Sequence, residues 1–472
     1  MTDQLRSDAL SYSGNCDVKT PYLDTLAHDG VIFSKAYSAC PSCIAARAEL
    51  MSGLSPVHNK RVGYQDDVRW EYKNTLAGEL AKAGYYTICT GKMHVSPIRN
   101  YLGFNNVELH DGYLHANRYS DVKSAQTQQN ADDYYHYLKS ELGIDADGTV
   151  SGLECNSFLT RPWPYEEKYH PTNWVTDRAI DFLRRRDPDK PFFLMASYLK
   201  PHPPLDPPEY YLNLYLNKKL KAPYVGSWEE IEEKQPKNIA FDSRYAPRDE
   251  ELIHQMKAGY YALITHLDHQ IGRLIQALRE YRIENDTLIV FTSDHGEELG
   301  DHHLFRKSRP YEGSSHIPLF ISGLQAIGLE RYKGITVDSI TALRDIMPTL
   351  LEVANAKNIP SLDGSSLLPL IKGEKKEVRE YLHSEHSYGN LSAHWLVSKK
   401  DKYIWYTESG REQYFDLEKD EHELVNLIND SQYKERISYL RGELINLLKD
   451  REEGFSDGKK LIKGQPYGPL LK

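Results

Sequence analysis

Residues 286–296 read DTLIVFTSDHG. The unbroken apolar run Leu288–Phe291, bounded by two threonines, suits a strand covered on both faces, as in the parallel sheets of α/β proteins. Ser293, Asp294 and His295 follow at once, and the carboxyl end of a parallel strand is where such folds keep their ligand-binding groups. Similar runs recur at Tyr85–Thr90 (YYTICT), Pro191–Leu199 (PFFLMASYL) and Pro318–Ser322 (PLFIS). Helical patterns separate them, over Thr20–Asp29, Asn74–Ala83, Asn173–Arg185 and Glu251–Tyr281. In the last, Met256, Tyr260, Leu263, Leu267, Ile271 and Leu274 recur at helical spacing. The alternation predicts an α/β fold: a large mixed, mostly parallel sheet sandwiched by helices.

The pattern changes around Ile371–Val378 (IKGEKKEV), a charged stretch that reads as a linker. Beyond it come hairpin-like strands at Ala393–Ser398, Tyr403–Thr407 and Gln413–Asp416, then an amphipathic helix over Tyr433–Lys449. Two domains are expected, residues 1–372 and a smaller antiparallel sheet plus helix in residues 373–472. The Pro-, Tyr-, Lys- and Glu-rich segment 206–249 reads as an irregular excursion near the ligand face.

The 472 residues carry 58 basic and 68 acidic side chains, a net charge of −10. No basic field for nucleic acid exists, so an anionic ligand would need a local cationic pocket. No apolar run approaches the roughly 18 to 20 residues that span a bilayer. The start, MTDQLRSDALSYSGN, lacks the basic and apolar segments of a secretion signal. The five cysteines, 16, 40, 43, 89 and 155, are an odd number, too few for a disulfide scaffold. A reducing, cytoplasmic location is therefore the expectation.

Ser38–Gly53 reads SACPSCIAARAELMSG. Cys40-Pro-Ser-Cys43 invites a zinc or redox reading, but no second cysteine pair supplies a structural zinc site and no thioredoxin-like setting surrounds it. The segment Cys43-Ile44-Ala45-Ala46-Arg47, followed by Leu50, Ser52 and Gly53, resembles the signature of type I, formylglycine-dependent sulfatases, C-x-[P/A]-x-R with a later L-x-[T/S]-G. Further blocks resemble the same family in the same order. They are Thr2-Asp3-Gln4, Thr20–Phe33, Gly91-Lys92-Met93-His94, Lys200–Pro204 (KPHPP), Ser293–Gly296 with Gly300-Asp301-His302, Lys307 with Tyr311-Glu312, Asp363–Leu368, and Tyr414–Leu427.

The resemblance implies an alkaline-phosphatase-like fold and a sulfatase that hydrolyses a sulfated sugar or aryl sulfate. Cys43, oxidised to Cα-formylglycine by a separate maturation enzyme, would be the nucleophile. Asp3, Gln4, Cys43, Asp294 and His295 would hold one Ca2+, with His295 a departure toward nitrogen in an oxygen-dominated shell. Arg47 would orient the nucleophile, Lys92 and Lys307 would contact sulfate oxygens, His202 would protonate the leaving group and His94 would assist deprotonation. In the family an apolar strand precedes the first of these ligands, whereas only Met1 and Thr2 precede Asp3 here, so either the start lies upstream or the metal site is weakened. No nucleic-acid or membrane partner is implied.

Chemistry makes the residue types intelligible. A sulfate ester is an anion, so an anionic nucleophile approaches sulfur only where cations offset the repulsion. An aldehyde hydrate carries two oxygens on one carbon, one to attack and one to expel the sulfate, which neither a serine nor a thiol offers. The same superfamily leaves open a phosphonate or phosphate ester hydrolase, or an N-sulfamidase. A non-catalytic binder of sulfated glycans would keep the cations and lack the aldehyde. Specificity is expected from loops 100–120, 165–170 and 206–248.

Overall fold

The computed structural model describes residues 1–112, 131–148, 150–229, 239–357 and 359–472. The strands of its larger part are β1 (Val31–Tyr37), β2 (Tyr86–Gly91), β3 (Asn106–Leu109), β4 (Phe192–Ser197), β5 (Ile289–Thr292), β6 (Leu319–Ser322) and β7 (Ile335–Ala342). They form two groups, ordered β3-β2-β4 and β5-β6-β1-β7. Pairing is parallel within the first group and between β1 and β7. β6 runs antiparallel to both β5 and β1.

The first residues of the chain stitch the two groups together. Thr2 pairs in parallel with Ser293 and Asp3 with Pro201. The Met1 amine donates to the Ala196 carbonyl at 2.9 Å, and Thr2 N–H donates to the Thr292 carbonyl at 3.0 Å. Thr2, Asp3 and Gln4 are fully buried. These contacts seat Asp3 between two sheet edges. On the far side of Met1 the edges of β4 and β5 part around an apolar cleft of about 580 Å³, lined by Leu194, Ala196, Leu278 and Phe291 among others.

Helices cover both faces. Those introduced here are α1 (Pro21–His28), α2 (Cys43–Ser52), α3 (Leu76–Lys82), α4 (Pro171–Arg185), α5 (Glu250–Glu280), α6 (Ile346–Val353) and α7 (Lys434–Leu448). α1, α4 and α5 build one core with Leu23, Leu183, Leu263, Leu267 and Phe291. α2 packs on the other face through Ile44 and Leu50, near Ile346 of α6 and Val31 of β1. The 31-residue α5 starts where Asp249 caps it, its carboxylate accepting from Leu252 N–H at 2.9 Å, and two glutamates follow in the first turn.

A second sheet is ordered β11-β10-β9-β8, from β8 (Tyr381–His386), β9 (Ala393–Ser398), β10 (Asp401–Tyr406) and β11 (Glu412–Asp416), antiparallel throughout. Leu440 and Leu444 of α7 pack on Leu396, Tyr403 and Tyr414. The opposite face, with Trp395, Ile404 and Phe415, packs on Tyr37, Ala39 and Tyr311. Two expectations change in detail. β5 begins at Ile289, because Glu284–Asp286 turns as a 3-10 helix. β1, β3, β7 and β8 were not anticipated, since Val31–Tyr37 interrupts its apolar residues with Ser34 and Lys35, Asn106–Leu109 is short, Ile335–Ala342 carries Thr336, Asp338 and Ser339, and Tyr381–His386 reads as polar. Among the described residues no helix is long and apolar enough to cross a membrane.

Candidate active site

α2 begins at Cys43, after the extended Ser42. A helix N-terminus favours an anion, and this one faces the carboxyl ends of β4, β5 and the N-terminal segment. Every residue of α2 is buried, including Arg47. A buried guanidinium must be paired, and Arg47 is. Its Nε donates to Asp294 Oδ2 at 3.0 Å and its Nη2 to Asp3 Oδ2 at 3.3 Å. Nη1 donates to the Lys92 carbonyl at 2.7 Å and to Ser197 Oγ at 3.0 Å. Lys92 Nζ lies 2.5 Å from Asp3 Oδ2.

The outer carboxylate oxygens are thus neutralised by cations while the inner ones converge. Asp3, Cys43, Asp294 and His295 present ligand atoms that all lie within 4.8 Å of one another. His295 Nδ1 is 2.9 Å from the Gly296 carbonyl, so Nδ1 carries a proton and Nε2 faces inward. Nε2 lies 3.2 Å from Cys43 Sγ and 3.7 Å from Oδ1 of both Asp3 and Asp294. This donor set, two carboxylates with their charge partly offset and one oriented imidazole, fits a divalent cation. Burial and the Asp3 charge push Asp294 above the usual carboxylate range. Burial and Cys43 oppose the Asp3 charge too, but Lys92 and Arg47 outweigh them and hold Asp3 low.

Gln4 adjoins this group, its N–H donating to Asp294 Oδ1 at 3.1 Å. Its Oε1 accepts from Lys307 Nζ at 2.6 Å and its Nε2 donates to Glu297. Gln4 sits at φ 68°, a strained backbone for a non-glycine residue, and His94 at φ 58° is another. Gly91, at φ +101°, is required at the end of β2, where a Cβ would meet the Ser197 carbonyl oxygen at 2.1 Å. That close approach aims Lys92 inward.

Burial disfavours a thiolate at Cys43, yet Lys307, Lys92 and His295 together hold its thiol well below the ordinary value. The position is built to carry negative charge. His202 Nε2 is 2.9 Å from Lys307 Nζ and its Nδ1 faces the Pro203 carbonyl at 2.5 Å. Burial, Lys307 and Lys92 keep His202 down at about 3, so it is neutral in the free site. The turn that holds it is anchored by a buried Lys200–Asp206 ion pair. Burial and Lys92 also disfavour a charged His94, but Asp66, at 3.4 Å, and Cys43 outweigh them and hold it up at about 9.

The structure therefore gathers Asp3, Gln4, Cys43, Arg47, Lys92, His94, His202, Asp294, His295 and Lys307 around one point. Several supporting residues escaped the sequence reading. Ser197 receives Arg47, and Glu297 receives Gln4. Asp111 accepts the Met93 and His94 amides at 2.9 and 2.8 Å. Asp111 lies two residues past β3, and Asp66 and Tyr64 sit in a loop; no sequence pattern marks any of them. Glu312 instead pairs with Lys402 at 2.8 Å and His316 at 2.9 Å. In the expected loop 165–170, His170 is buried and caps α4. Residues 113–120 and 230–238 of the other two loops lie outside the described residues.

A family model described as Sulfatase matches residues 1–356, and one described as N-sulphoglucosamine sulphohydrolase, C-terminal, matches residues 300–450. The chain is 48% identical to an arylsulfatase of Clostridium perfringens, covering 100% of this chain and 98% of the other. It is 32% identical to a choline-sulfatase of Rhizobium meliloti over 90% of this chain and 81% of that one. The crystal structure of a phosphonate monoester hydrolase of Agrobacterium radiobacter superposes with a TM-score of 0.73 at 24% identity, covering 94% of each chain.

Proposed function

This chain belongs to the sulfatase family and is a sulfuric ester hydrolase, and we propose that Cys43, oxidised to Cα-formylglycine, is its nucleophile beside one calcium ion. The observation that carries the reading is a buried side chain at the start of α2 that lies 3.2 Å from His295 Nε2 and within reach of the charges of Lys92 and Lys307. Hydrated, the formylglycine supplies two geminal hydroxyls, one to attack sulfur and one to expel sulfate as the aldehyde re-forms. Calcium would be held by Asp3, Gln4, the side chain at position 43, Asp294 and His295, and it would supply a positive charge that favours an ionised nucleophile and a sulfate oxygen.

The chain's own groups have separable tasks. Arg47 fixes both carboxylates through their Oδ2 atoms, while Asp294 Oδ1 accepts the Gln4 and His295 amides. Lys92 and Lys307 offset the ester's charge as it enters. His202 presents Nε2 to the same space, and an arriving anion raises its affinity for the proton that it gives to the leaving oxygen. His94, paired with Asp66, sits where a proton leaves the second hydroxyl. Gln4 ties Lys307 to the N-terminal segment.

The substrate is an aryl sulfate or a sulfated sugar, and the maturation of Cys43 requires a separate formylglycine-generating enzyme. Residues 1–372 are read as the catalytic domain and 373–472 as a domain that completes its rim. The test is intact-mass spectrometry combined with sulfate release. Oxidation of Cys43 lightens the chain by about 18 Da. Turnover should scale with the lightened fraction and vanish in Cys43→Ala. An Ala variant with wild-type rate would remove Cys43 from the mechanism.

A further inference from the structure

Two residues beyond Lys307 stands a second, unused cation. Arg309 is 5% exposed. Among the described residues its guanidinium has no ion pair and no hydrogen bond; its one contact of that kind is with an aromatic face, the Tyr388 ring, at 5.5 Å. The same ring carries Arg244 at 4.4 Å. Glu229 lies within electrostatic reach of Arg309, Arg411 and Arg248, but beyond ion-pairing distance of Arg309. None of its guanidinium nitrogens is sealed from solvent, so a cation without a carboxylate partner stands open to an anion that comes from outside.

The position is beside the nucleophile. Ser308, between Lys307 and Arg309, donates its N–H to the Pro41 carbonyl at 3.0 Å, two residues before Cys43. Glu385 N–H donates to the Ala39 carbonyl at 2.9 Å, which brings the end of β8 against the same segment. His386 there is within reach of the charges of both Arg309 and His295, and its ring meets Tyr388 edge-on at 5.6 Å. Arg244 is exposed and Arg309 buried, so the two arginines and the ring lead from surface to interior.

We propose that Arg309 and Arg244, spaced by Tyr388, form a second anion subsite, and that the preferred substrate is a sulfate ester bearing a further carboxylate or sulfate, as in an acidic sugar. The proposal rests on the sulfatase reading of Cys43 and narrows it. A neutral aryl sulfate fills the cradle of Lys92 and Lys307 but leaves Arg309 unmatched. A planar guanidinium suits a carboxylate or sulfate bidentately, and the tyrosine face holds it in place at small entropic cost. Because the molecule carries a net charge of −10, such local cations are what would draw in a polyanion.

The test compares matured enzyme on a sulfated disaccharide with a free uronate carboxylate and on its methyl ester, which differs in charge alone. The wild type should favour the acid in kcat/KM by about tenfold or more, the effect of one charged hydrogen bond. Arg309→Gln should erase most of that ratio, and Arg244→Gln, at an exposed position, should reduce it without affecting folding. A wild-type ratio near one, or variants that slow acid and ester by the same factor, would overturn the subsite while leaving the nucleophile intact. Turnover persisting in Cys43→Ala would instead overturn the reading beneath it, and the subsite with it.

Discussion

Lys307 Nζ lies 2.9 Å from His202 Nε2, and a lone pair on the imidazole meets an ammonium. With burial and Lys92, this contact keeps His202 at about 3. Lys307→Met should let His202 rise toward the ordinary imidazole range, followed by NMR of histidine labelled in the ring. It should also slow kcat/KM by about 10² to 10³, as the loss of one charge-stabilising donor does. A His202 that does not move would mean that burial alone suppresses it.

Arg47 stands behind two buried carboxylates. Arg47→Met keeps much of the volume but leaves the charges of Asp3 and Asp294 uncompensated. A loss of about 3 to 5 kcal/mol in unfolding free energy is expected. Denaturant titration with and without Asp294→Asn in the same chain checks this, because removing one carboxylate should restore part of the loss. Equal stability of the single and double variants would show that the pair is not what Arg47 serves.

Calcium should raise the melting temperature and a chelator should reverse the rise. At a hundredfold excess over its dissociation constant, a native-state ligand adds about 2.7 kcal/mol. In Asp294→Asn the increment should shrink to a small fraction. An undiminished calcium effect in that variant would place the ion elsewhere.

Glu49 of α2 accepts from the Ala39 N–H at 3.2 Å and faces Arg344 at 3.2 Å. Burial outweighs Arg344 and pushes its carboxyl up from 4.5 to about 7. The unfolded chain loses this proton near 4.5, the folded one only near 7. The group's contribution is therefore full below pH 4.5 and is lost as pH rises through about 7, on the order of 3 kcal/mol in all. Glu49→Gln should flatten this part of the stability profile between pH 5 and 8. Parallel profiles for the two proteins would exclude Glu49 as its source.

The layered fold was legible because β2, β4, β5 and β6 are runs of apolar residues buried on both faces, and α5 keeps helical spacing along its length. β8 was hidden because His383, Glu385 and His386 make it read as polar, and the partners of His383 and Glu385, namely His394, Arg451 and Tyr467, lie far along the chain. In the site, motifs exposed the residues at turns, where a glycine or proline forces a side chain inward, as Gly91 does for Lys92. The groups that orient them were not legible. Ser197, Asp111 and Asp66 act through long-range contacts whose partners no local spacing encodes. Arg309 was seen only as a neighbour of Lys307, because its isolation from any carboxylate exists in three dimensions alone.

Cys43 and His295 touch across 252 residues of chain. During synthesis at about 5 to 20 residues per second, roughly 13 to 50 s separate the appearance of one from the other. Throughout that interval the thiol has no partner to close over it, and afterwards it is sealed at 2% exposure. An enzyme that converts this side chain needs the polypeptide before that closure, so the time a chain spends unfolded bounds the fraction that becomes competent.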